Sequence, residues 1–348
     1  MKLSFYRSVS ELRGITGVVI PSYFSGKVSL DEAKELLGIT LQDCELFLDP
    51  SNIVVVADGD EKSLKAAGEL RKGELKGMEV IGLRENMGKG FAVLKGMELL
   101  LEKPRLRYIC VRDNDGDHFV NDLPNLLRAA LAVEESEGTE LVLILGRRHD
   151  LHLPMGYVRG ELEGIEDRVL CDALRFYLAG KGSWFDLRYS PYGEVPDIGS
   201  GYKLYTRSLA EGLLSVWGGH LECLSPEEYW HYLPEIAPFV ESVMLGAAFG
   251  EVNRMTYNVQ PATSFGDFNY RDFYGSALAW MFLRLEIPLD LCALMLNTHM
   301  SRSGLWTHPE GKRALIEIKR SVLNRVADFR GERCDHLLGR PPGEVRFL

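Results

Sequence analysis

Short apolar runs separated by stretches of helical period fill the first 150 residues of the chain. Ile15 to Ile20 is β-branched and stops at Pro21-Ser22-Tyr23, and Asn52-Ile-Val-Val-Val-Ala-Asp58-Gly59-Asp60 is a second run ending on acid and glycine. Val80 to Leu83, Tyr108 to Val111 and Leu141 to Leu145 have the length and side chains of further buried strands. Between them lie helical compositions at 30–37 and 63–71, a helix on which Phe91, Leu94, Met97 and Leu101 share a face, and another over Leu123–Glu135. This alternation predicts an α/β fold, a mostly parallel central sheet with helices on both faces. Ligands of such sheets collect at the carboxyl ends of the strands, where Asp58, Asp113 and Arg147 fall. Past residue 150 the pattern loosens, and no linker or repeat marks a second domain.

Composition narrows the function. Across 348 residues, 50 acidic against 40 basic side chains give a formal net charge of -10, which disfavours nucleic acid and anionic membranes as partners. The cysteines are scattered without a Cys-x-x-Cys pair, as suits reduced thiols in a cytoplasmic protein. Lys2, Arg7, Glu11 and Arg13 interrupt any signal-peptide pattern. The apolar stretch Ala277 to Leu296 is broken by Arg284, Glu286, Pro288 and Asp290, so it reads as core or an interfacial surface rather than a transmembrane span. Peripheral membrane attachment stays open.

The densest candidate chemistry is Asp113-Asn-Asp115-Gly-Asp117-His118, directly after a strand. A calcium-binding loop would need Gly at its sixth position and Glu at its twelfth, and the chain has His118 and Pro124. A haloacid dehalogenase-like phosphatase sets its Asp-x-Asp after the first strand, not the fourth. A solvated acidic turn capping the helix near Asp122 accounts for the charge alone. The remaining reading is Mg2+ or Mn2+ on Asp115, with Asp113 directly or through water, bridging the two phosphates of a nucleotide-diphosphate sugar. A metal there neutralises charge that builds on the diphosphate as the sugar departs.

Four segments in order then resemble the family 2 glycosyltransferases of the GT-A fold: Ile20-Pro-Ser-Tyr23, Val54-Val-Val-Ala-Asp-Gly-Asp60, Glu85-Asn-Met-Gly-Lys-Gly-Phe-Ala92 and Arg112-Asp-Asn-Asp-Gly-Asp-His118. The resemblance covers residues 14–148. Its nearest motifs are those of the polyprenyl-phosphate sugar transferases and their soluble relatives, to which Leu145-Gly-Arg-Arg148 and Asp197-Ile-Gly-Ser-Gly-Tyr-Lys-Leu-Tyr205 are also similar. The chain departs from them in its length after residue 230 and in lacking membrane helices. A lipid-phosphate, small-molecule or glycan acceptor therefore stays open, as does a homo-oligomer.

The resemblance implies a metal-dependent hexosyltransferase. Residues 1–150 would form the nucleotide-sugar-binding part of a GT-A domain, and 151–348 the acceptor-binding part with a C-terminal helical extension. Pro21, Ser22, Tyr23 and Asp58 would meet the donor's base or ribose, while Asn86, Gly88 and Lys89 form the donor floor, with N–H groups at that helix start facing phosphate. Asp113 and Asp115 would serve metal and catalysis, with Asp117 and His299 as further metal ligands. Arg147, Arg148, Ser200, Gly201 and Lys203 would form the acceptor side. A hydroxyl acceptor needs a base, for which Asp197, Glu222 and Glu241 are candidates, Glu241 foremost because it opens a helix-like run. His299 and His308 flank a Gly-hinged segment suited to closing over the donor. Trp184, Phe185, Tyr189 and Tyr192 would stack on a sugar or base, or fill core. Two alternatives remain: a sugar-1-phosphate nucleotidyltransferase, whose basic Gly-rich loop this chain replaces with Pro21-Ser-Tyr-Phe-Ser-Gly-Lys27, and a non-catalytic nucleotide-sugar-binding protein.

Overall fold

Successive strand residues go to opposite faces of a sheet, so a strand buried on both faces feeds two cores at once. The computed structural model, which describes residues 9–73, 75–190, 195–219, 223–255 and 269–339, shows this sorting. Val19, Val54, Val56, Ile109, Val111, Leu143 and Leu145 enter one hydrophobic core. Their neighbours Val18, Ile20, Ile53, Val55, Tyr108, Val142 and Ile144 enter the other. Helices Leu30–Leu41, Glu61–Leu70 and Leu123–Glu137 cover the second face, and Lys89–Leu101 with most later helices the first.

The strands are β1 (Thr16–Ser22), β2 (Ile53–Ala57), β3 (Glu79–Gly82), β4 (Tyr108–Val111), β5 (Val142–Arg148), β6 (Lys203–Thr206) and β7 (Ala248–Arg254). They form one 7-stranded sheet in the order β3-β2-β1-β4-β6-β5-β7. Pairings are parallel except at β6, which runs antiparallel to both β4 and β5. Its N-terminal approach, Asp197–Gly201, therefore arrives at the rim where its neighbours end. The α/β layering expected from the sequence is the one observed.

The loosely patterned second half is mostly helical. Helix Tyr157–Gly180 spans 24 residues, and Pro309–Arg330 spans 22. The apolar stretch from Ala277 falls on two helices, Tyr270–Arg284 and Leu289–Met300. Tyr274 through Phe282 is buried without a break, so this middle stretch of the helix has no charged face because it lies inside the core. Among the described residues no helix is long and apolar enough to cross a membrane. Tyr192 and Glu222 lie outside the described residues.

Candidate active site

A cleft of about 250 Å³ opens at the carboxyl ends of β1, β2 and β4 and extends beneath β5 and helix Tyr157–Gly180. Pro21, Ser22, Tyr23, Asp58, Asn86, Lys89, Asp113, Asp115, Arg148 and Gly201 all line it.

Its first wall is braced by local hydrogen bonds. Asp58, buried at the end of β2, accepts from the Met87 N–H at 2.8 Å and the Gly88 N–H at 2.9 Å. Those two amides hold a carboxylate rather than standing free for phosphate, a change from the sequence expectation. Burial raises the Asp58 carboxyl despite these bonds. Gly88 caps helix Lys89–Leu101 at φ 99°, and a Cβ there would stand 2.6 Å from the Trp230 backbone, so both conformation and space require glycine. Asp60, passed over in the sequence, caps helix Glu61–Leu70 and accepts from the Phe24 N–H at 3.0 Å, tying the β1 exit to β2. Ser22 Oγ receives Asn114 Nδ2 at 3.1 Å, which joins that exit to the acidic turn.

The acidic turn is held from below. Arg112, fully buried, donates to the Thr40 carbonyl at 2.8 Å and to the His118 carbonyl at 3.1 Å. His118 Nδ1 accepts the Asp113 N–H at 2.8 Å while its ring stacks on Tyr202 with centroids 4.9 Å apart. Burial, then Arg254, pushes its pKa well below the ordinary value, so the ring is neutral with its proton on Nε2. Asp113 and Asp115 separate electrically. Lys89 Nζ stands 2.6 Å from Asp113 and 2.5 Å from Glu235. That ammonium holds the Asp113 carboxyl far below the usual range against the effect of burial. Asp115, burdened by burial and by the Asp113 charge, is pushed up to about 6.

Several expected site residues are engaged elsewhere. Asp117 is buried against Arg254 on β7 at 3.1 Å and is not part of the cleft lining. His299 bonds Asp172 at 2.7 Å, away from the cleft, and His308 caps helix Pro309–Arg330. Glu241 is buried with its carboxylate on Arg284 at 2.7 and 2.9 Å, so the favoured base does not line the cleft. Asp197 is clamped by Arg148, accepting its backbone N–H at 2.7 Å and its guanidinium at 2.5 Å. Arg147 turns to Glu251 at 3.0 Å. Lys203 donates to the Ile198 carbonyl at 2.8 Å and to that of Ser200, and burial brings it down to about 8. Ser200 donates to the Gly146 carbonyl at 2.6 Å. Arg147, Asp197, Ser200 and Lys203 are thus bound within the protein and do not line the cleft, whereas Arg148 and Gly201 do. Phe185 and Tyr189 line a second hollow beside the start of β7, where Trp184 is exposed.

The cleft also holds residues that sequence reasoning missed: Arg159, Glu163, Glu166, His231, Glu235 and Arg254. The spacing of Arg159, Glu163 and Glu166 on one helical face was the available signal.

No family model and no curated protein matches the chain. Among solved structures it is similar to S. aureus TarS, at 16% identity and TM-score 0.45 over 93% of this chain and 50% of that one. It is also similar to TarS 1-349 (13% identity, TM-score 0.38) and to TarS 1-349 in complex with UDP (12%, 0.39), each over 91% of both chains. The chain thus spans about half the length of the longer TarS chain.

Proposed function

We propose that the chain is a glycosyltransferase of the GT-A type. In particular, it moves a hexose from a nucleotide-diphosphate sugar with the help of Mg2+ or Mn2+. The observation that carries this reading is the convergence of the sequence motifs: the β1 exit, Asp58, Asn86, Lys89 and the pair Asp113 and Asp115 meet in one cleft at the strand ends. Chance placement of unrelated turns would not gather them.

Asp115 and Asp113 are the residues that would hold the metal. Magnesium ordinarily takes one or two protein carboxylates and fills its other positions with phosphate oxygens and water. A cleft offering two neighbouring acids, one of them pushed up by burial and by the charge of the other, suits that demand. When bound, the cation supplies charge neutralisation to the leaving diphosphate.

The protein's own groups do the rest. Lys89 sits where it can transfer its charge from Asp113 to the donor phosphates, and Pro21–Tyr23 with Asp58 shape the base pocket. With a hydroxyl acceptor, the acceptor oxygen bonds the anomeric carbon while the bond to the diphosphate oxygen breaks, its electron pair staying on the diphosphate. The hydroxyl proton passes to Glu235, the carboxylate beside Lys89 in the cleft. Purified protein should release nucleoside diphosphate from UDP-glucose, UDP-galactose or GDP-mannose only with divalent metal. Release of pyrophosphate from a nucleoside triphosphate and a sugar 1-phosphate would decide instead for a nucleotidyltransferase, and tight diphosphate binding without turnover for a non-catalytic binder.

A further inference from the structure

One part of the cleft is built by Arg148 at the end of β5 and by helix Tyr157–Gly180, which presents Arg159, Glu163 and Glu166 to it. The cations lining the cleft are already committed. Lys89 pairs with Asp113 and Glu235, Arg148 with Asp197 and Glu163, Arg159 with Glu163, and Arg254 with Asp117. The carboxyl of Glu166 is different. It is only 4% exposed, lines the cleft, and its Oε1 has no hydrogen-bond partner within the protein. An unsatisfied buried polar atom is costly, a cost that a ligand's hydroxyl would remove.

We infer that Glu166 recognises the acceptor, and that the acceptor is an uncharged polyhydroxyl compound, a sugar or polyol, rather than a phosphate or carboxylate. Burial and the charges of Asp167 and Glu163 raise the Glu166 carboxyl well above the usual carboxylate range, so it keeps its proton and can donate to a hydroxyl oxygen. An anionic acceptor would meet the Glu163 carboxylate in the cleft, with Arg148 and Arg159 already paired to it. A neutral one needs only hydrogen bonds.

This inference rests on the glycosyltransfer reading, and the test separates the two. With full-length protein, Mn2+ and the active donor, the probes are glycerol against glycerol 3-phosphate and glucose against glucose 6-phosphate, read by product mass and nucleoside-diphosphate release. Diphosphate binding is measured alone by calorimetry. Transfer to the neutral member of a pair should exceed that to its phosphorylated partner at least tenfold. Glu166→Ala should raise the KM for the neutral acceptor about tenfold with donor KM unchanged, the loss of one good hydrogen bond. Glu166→Gln, whose amide also donates, should restore the KM. Preference for phosphorylated members, no transfer to any neutral member, or an unmoved acceptor KM in Glu166→Ala overturns the inference while diphosphate binding leaves the donor site standing. Absence of diphosphate binding removes the donor reading and this inference with it.

Discussion

Gly201 is the position where one added methyl should separate stability from function. A Cβ there would lie 2.5 Å from Asp113 Oδ2 and 2.9 Å from Lys89 Nζ, where ordinary contact begins at 3.4 Å. The carboxylate would have to retreat by roughly 0.9 Å to regain normal van der Waals contact. Both neighbours are ends of flexible side chains, so Gly201→Ala should cost the fold only about 1–3 kcal/mol, the usual range for one extra carbon in a packed site. The same shift moves the Lys89–Asp113 pair, 2.6 Å apart, that sets the charge of the cleft floor. A misplacement near 1 Å in a reacting constellation costs about 100-fold in rate. Urea denaturation would measure the first effect, and metal-dependent nucleoside-diphosphate release the second. Full activity in Gly201→Ala would refute the reasoning, since the methyl cannot enter without displacing the pair.

Further outcomes follow from the same geometry. Asp115→Asn should abolish Mn2+-dependent stabilisation by nucleoside diphosphate in a thermal-shift assay, with little change in the melting temperature of the free protein. Glu235→Gln should lose at least 100-fold in transfer at unchanged stability, whereas Glu241→Gln should lower the melting temperature by loosening Arg284 and leave transfer intact at room temperature. Arg254→Met strands the buried Asp117 carboxylate and should destabilise by roughly 3–5 kcal/mol in chemical denaturation. Burial and the neighbouring Asp197 charge raise the Asp167 carboxyl well above the usual range, so the fold holds that proton more tightly than the unfolded chain does. Its contribution is then intact at acid pH and lost as pH rises through the folded value. Because Asp167 Oδ1 has no partner, Asp167→Asn should be more stable than the native protein by roughly 1–3 kcal/mol at pH 8 and equal to it near pH 4, as denaturation at the two pH values would show.

The first four strands were legible because each is a short apolar run bounded by turn residues, and Tyr108–Val111 falls where periodicity put it. β5 extends past its apolar run through Arg147 and Arg148 because β7 pairs with them, opposite Asn253 and Arg254, a partner more than a hundred residues away in sequence. Helix Tyr157–Gly180 escaped notice for another reason: buried Glu163, Glu166 and Asp167 interrupt the apolar stripe by which helices are recognised. Two of these acids, Glu163 and Glu166, line the cleft, and the sequence did not mark them. Arg148 looked like a free cation, yet its partner Asp197 lies 49 residues on and meets it only because β6 turns back through the sheet. Local motifs marked the strand-end turns at Pro21–Tyr23, Asp58 and Asp113, because each is a contiguous run of residues. The part of the cleft around Arg148 and Glu163 is assembled from distant segments, and its charges pair in ways that residue type alone does not reveal.

The seat of β6 between β4 and β5 also governs how the molecule can be made. During synthesis β4 and β5 emerge long before their shared partner, and each waits with an unpaired edge until Thr206 has left the ribosome. A fragment ending near residue 150 would keep that gap for good, as the ladder β3-β2-β1-β4 with an open edge and β5 with no strand to pair with, and a strong tendency to join other chains. Expression of residues 1–150 alone should yield aggregates, and splitting the gene for complementation is better attempted after Thr206 than before Lys203.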